Sequence, residues 1–119
     1  MAFAHALVTL AEITAMAGEN VDVTGYVEAN QQTWANQAGG YLCALTHYDL
    51  ITNAATLTAQ GIQIFAEYIA RYVAASAIAY NMAGFTSRIE AEDMINVHVY
   101  RMQAIEKLLK EEGVMDYLK

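Results

Sequence analysis

Chemistry in this chain would have to come from three histidines, one cysteine and thirteen carboxylates. His98 falls on an apolar seam at helical spacing, where a histidine is either packed and hydrogen-bonded or a ligand or acid–base group. The seam favours the first. His5 stands in an N-terminal arm and His47 in a connecting stretch, and neither has a second ligand at metal spacing. Helical di-metal sites need Glu-x-x-His pairs on inward faces, and no Glu here precedes a His by three residues. Glu90, Glu92 and Asp93 cluster, but in a capped first turn, where carboxylates serve as a solvated helix start. Cys43, within Tyr41-Leu-Cys-Ala-Leu45, reads as a small core residue rather than a reactive thiol. The eight tyrosines and Trp34 are dispersed at helical spacing, as in cores and subunit contacts. H-E-x-x-H, C-x-x-C, G-x-S-x-G, P-loop and G-x-G-x-x-G strings are absent. The residues suggest no catalytic, cofactor-binding or metal-binding constellation, and the expectation is a protein that is not an enzyme.

The elements that position these residues read as all-α: a small bundle of about four helices around a long antiparallel helical hairpin. One domain spans 1–119. Residues 1–8 read as a loose arm. Thr9 and Glu12 form a T-x-x-E capping box opening a helix over 10–17, which Gly18 closes. Thr24 or Asp22 caps a second helix over 25–46, with Val27, Trp34, Ala38, Tyr41, Leu42 and Leu45 on one face. Glu28, Gln31, Gln32 and Asn36 supply its polar remainder. Gly39-Gly40 inside it marks either a kink or a close helix crossing. Residues 46–56 suit a loop. A third helix over 58–83 carries Ile62, Phe65, Ile69, Tyr72, Ser76 and Ala79 along one stripe, and Glu67 and Arg71 pair at i,i+4. Beyond Arg71 it is apolar nearly all round, so it must be covered on several sides.

The hairpin corner follows. Gly84 takes the left-handed C′ position that glycine adopts without steric cost. Phe85 packs back on Tyr80, and Ser87 with Glu90 forms a second capping box. The fourth helix, 88–112, repeats Ala91, Ile95, His98, Met102, Ile105 and Leu109 at steps of 4, 3, 4, 3 and 4, a heptad seam. Gly113 ends it, leaving 114–119 as a tail.

Composition limits the function classes. Apolar residues make up 56% of the chain and charged residues 16%, which leaves little polar surface for a solitary monomer. Either an alanine-rich core or coverage by other subunits accounts for that, and the second is favoured. Net charge is −7, and residues 1–70 hold six acids and no Lys or Arg. A DNA-binding footprint is basic, so direct DNA binding is not expected, whereas an acidic wall would repel a passing polyanion. One cysteine permits no internal disulfide. The N-terminus lacks a positive n-region, and Gln63, Glu67 and Arg71 interrupt the most apolar segment. The expectation is a soluble, intracellular protein without a membrane span.

Two stretches carry a resemblance. One is Ala77-Ile-Ala-Tyr80-Asn-Met82-Ala-Gly84-Phe85-Thr86-Ser87-Arg88-Ile-Glu90-Ala91-Glu92-Asp-Met94. The other, Tyr26 to Tyr48, holds a Trp-x-x-Gln-Ala-x-x-Tyr run from Trp34 and an Ala-x-Thr-His ending at His47. Together with the order of elements, they resemble tailed-bacteriophage head–tail connector (adaptor) proteins over about the last three quarters of the chain. The resemblance implies a structural virion protein of the neck that assembles in the host cytoplasm. It implies a ring of itself, commonly twelve copies, beneath a portal protein. Such a ring extends the DNA channel, with DNA only as passing cargo, and forms a platform for the next neck or tail-completion protein. Val114, Met115, Tyr117 and Leu118 are the candidate portal or neck interface, the alternatives being a disordered end or a contact with the next ring. Tyr80, Gly84, Phe85, Ser87 and Glu90 form the structural corner. Rival readings are another neck protein (stopper or tail completion), a small helical ligand-binding protein, and an unrelated adaptor that dimerises through the heptad seam.

Overall fold

A computed structural model describes residues 5–9, 11–13, 28–80, 88–111 and 113–118. Four helices of this chain are α1 (Glu28–Thr46), α2 (Ala59–Tyr80), α3 (Arg88–Leu109) and α4 (Val114–Leu118), with a 3-10 turn at Ala54–Thr56 before α2. No strand occurs among the described residues. The all-α reading holds. The corner residues Gly84, Phe85 and Ser87 and the side chains of Tyr80 and Glu90 lie outside the described part. So do the expected caps Asp22 and Thr24.

The T-x-x-E signal near the N-terminus has the expected geometry. Glu12 Oε1 accepts from the Thr9 N–H at 2.9 Å and from its hydroxyl at 2.9 Å. The Glu12 N–H in turn donates to Thr9 Oγ1 at 3.3 Å. Residues 11–13 follow as helix. The arm ahead of them is not loose where it is described. Leu7 and Val8 are buried, because their side chains complete the same core that Ile13 enters.

α2 is the central element. Phe65, Ala66, Tyr68, Ile69, Ala70, Val73, Ala74, Ala77 and Ile78 are all buried, as a helix apolar on most sides requires. Of the expected stripe, Phe65 and Ile69 are fully inside, whereas Ile62 and Ala79 face outward. α1 and α3 cover α2 from two directions, and both run antiparallel to it. On the α1 side, Tyr41 stacks on Tyr68 with ring centroids 6.2 Å apart, and the Tyr72 hydroxyl donates to Gln37 at 3.3 Å. On the α3 side, Glu67 meets Arg101 and Arg71 meets His98. The heptad seam is the face α3 presents: His98, Ile105 and Leu109 are buried, and Ile95 and Met102 half-buried.

α1 corrects the expected face. Its buried residues are Gln31, Ala35, Gly39 and the expected Ala38 and Leu42, while Tyr41 is exposed and Trp34 half-buried. Gln31 is therefore not part of the polar remainder. Gly39 meets side chains of the arm and the loop rather than a crossing helix: a Cβ there would lie 3.1 Å from His5 Nε2 and 3.3 Å from the Ile51 methyl. Gly40 has open space beside it. The helix ends in a Schellman-type turn. His47 takes a left-handed φ of 57°, and the Tyr48 N–H reaches the Cys43 carbonyl at 3.3 Å.

The C-terminal segment is also corrected. α3 stops at Leu109 rather than at 112, Gly113 has φ 84°, and the chain turns back as α4 instead of trailing off. The Leu118 carbonyl accepts from the Thr58 N–H at 3.0 Å and from its hydroxyl at 3.1 Å. Thr58 Oγ1 meanwhile caps α2 by accepting from the Gly61 N–H at 3.0 Å. A Cβ on Gly61 would sit 2.7 Å from that carbonyl, so glycine is what lets the chain end dock here.

Candidate assembly surface

Glu67, Arg71 and His98 join α2 to α3. The Glu67 carboxylate accepts from Arg71 Nε at 2.7 Å along α2 and from Arg101 Nε and Nη2 at 3.2 and 3.1 Å across to α3. Burial alone would raise its pKa, but the two guanidiniums outweigh that and hold it below the ordinary value. Arg71 Nη1 lies 3.2 Å from His98 Nδ1. An arginine can only donate, so Nδ1 accepts and the ring proton sits on Nε2. His98 is thus a packed, hydrogen-bonded residue between α2 and α3.

A second junction ties three helices. Glu106 of α3 accepts from the Tyr68 hydroxyl of α2 at 2.9 Å and from the Tyr41 hydroxyl of α1 at 3.4 Å. Burial, and then the hydrogen bond to Glu106, pushes the Tyr68 phenol far above its usual range. His5 lies against α1 beside Gly39. Its Nδ1 accepts from the Leu7 N–H at 3.1 Å. Desolvation lowers its pKa, with partial compensation from a hydrogen bond to the Ala35 backbone. Among the described residues, no three His, Cys, Asp or Glu side chains converge as metal ligands would. Cys43 is a half-buried free thiol. No described helix is long and apolar enough to cross a membrane.

The four candidate interface residues of the C-terminal segment do not share one surface. Leu118 is buried, Val114 and Met115 pack partly against the core, and only Tyr117 points outward, 67% exposed. The more continuous apolar surface is on α3, opposite its seam. Val97 (59% exposed), Tyr100 (72%), Ala104 and Leu108 (39%) follow one another at steps of 3, 4 and 4. Tyr100, Gln103, Ala104, Lys107, Leu108 and Glu111 line a shallow groove along it. Sequence reasoning passed over this stripe because the heptad seam used up the apolar pattern of the helix. Its signal was there, as a second 3-4 series on the far side of the helix. No protein-family model, no curated protein and no solved structure matches this chain.

Proposed function

We propose that the chain is a structural assembly protein, a head–tail connector subunit of a tailed-phage neck. On this reading it forms a ring beneath the portal, extends the DNA channel and carries the next neck or tail component. The observation that carries an assembly role is the apolar outer stripe of α3, on a helix whose other face is already buried against α2. A helix apolar on two faces needs a cover for each, and among the described residues none covers Val97 or Tyr100. The titratable groups support the same reading, since Glu67, Arg71, His98 and Glu106 hold helices together. The narrower assignment to the neck rests on the resemblance of residues 26–48 and 77–94 to connector proteins.

The test is co-sedimentation of the purified chain with portal-bearing, tailless heads from the same source, followed by stoichiometry of the bound fraction. Saturable binding at one vertex, in a number matching the portal ring, is the expected result. Absence of binding to correctly assembled heads refutes the connector reading.

A further inference from the structure

The outer stripe of α3 is self-complementary in charge as well as apolar. Asp93 stands seven residues before Tyr100 and Lys107 seven residues after it, about two helical turns each way. Val97 and Ala104 lie within one turn on either side of Tyr100, and all these positions share the outward side of the helix. Arg101, beside the stripe, is engaged by Glu67. A second α3 laid antiparallel with Tyr100 at the crossing would set Asp93 of each copy opposite Lys107 of the other. The same arrangement opposes the two helix dipoles. A parallel arrangement would place Asp93 against Asp93 and Lys107 against Lys107.

From this pattern we infer that the free chain pairs with a second copy of itself through α3, antiparallel and two-fold symmetric about Tyr100. The tyrosine of each copy enters the groove that Gln103, Ala104, Lys107 and Leu108 line on the other. Such an isologous contact closes on itself and builds no ring. It therefore describes the protein before assembly, and the dimer must open before the same stripe can meet ring neighbours.

Sedimentation equilibrium over a wide concentration range tests it, with no heads present. The wild-type chain is expected to show a reversible monomer–dimer equilibrium. Tyr100→Asp should weaken it about thirtyfold, as loss of a central aromatic anchor does. Because Tyr100 is exposed, the fold should survive, and Val97→Asp serves as the second variant if it does not. Asp93→Lys and Lys107→Asp should each weaken the dimer about tenfold, since each turns two attractions into two repulsions. Mixed in equal amounts, the two charge variants should regain wild-type affinity, because in the mixed dimer both cross-helix pairs are again opposite in sign. A monomer at every concentration overturns the inference. So does a dimer indifferent to Tyr100→Asp, a mixture that does not recover, or association beyond two copies.

Discussion

Gln31 is the place where the fold departs most from physical expectation. Its side chain is 1% exposed on the buried face of α1, and neither Oε1 nor Nε2 has a hydrogen-bond partner among the described residues. A buried amide without partners forgoes its hydration, which costs about 1–3 kcal/mol in proteins. Gln31→Met keeps the unbranched shape and similar volume, so packing with Ala35 and its neighbours need not change. Removing the amide should therefore stabilise the chain by about 2 kcal/mol. In a domain of this size that raises the melting temperature by about 5–10 °C. Urea denaturation of both proteins at neutral pH measures it: the midpoint should rise while the slope stays constant, since the surface exposed on unfolding is the same. Loss of stability in Gln31→Met would refute the reasoning. It would mean that the amide is hydrogen-bonded in the folded protein, through water or otherwise.

Further predictions concern the chain's turns and charges. Gly61→Ala should cost about 1–3 kcal/mol by forcing a methyl against the Leu118 carbonyl. Gly40→Ala, with open space beside it, should gain about 0.5–1 kcal/mol, and thermal melts of the two variants must move in opposite directions. His47→Gly should add about 1 kcal/mol by relieving a left-handed φ of 57°, and an unchanged urea midpoint would contradict that. Three described groups make stability fall with acidity: His5, Glu67 and Asp49, whose carboxylate is held below its ordinary range by hydrogen bonds from Thr52. His5 has a folded pKa below its ordinary 6.5, so its contribution is complete above that value and is lost as pH falls toward the folded one. Glu67 has a folded pKa below its ordinary 4.5, so its contribution is present above 4.5 and is lost as pH falls through the folded value. Urea midpoints from pH 8 to 3 should decline in two stages, and Glu67→Gln should make the lower one shallower, leaving the part due to Asp49.

Several features of this protein were decided within a few residues of sequence. The Thr9–Glu12 box, the i,i+4 pair Glu67–Arg71 and the left-handed Gly113 all satisfy groups three to five positions away or at the residue itself. The seam of α3 was equally legible, because His98, Ile105 and Leu109 recur at the period of the helix that carries them. What tertiary structure alone decided is which side of each helix meets what. Both Gln31 and Tyr41 could be read from α1, yet the glutamine is inside and the tyrosine exposed. The depth of a position depends on the helix laid across it, not on its own side chain. The C-terminal segment shows this most plainly. Its residues carry no signal that they will dock, because the partners of Leu118 are the cap Thr58 and the gap left by Gly61, about sixty residues earlier. Likewise the seam of α3 was legible, but that its second apolar series stays uncovered is decided only by where the other helices lie. Periodicity is a property of one segment, whereas burial is a relation between segments.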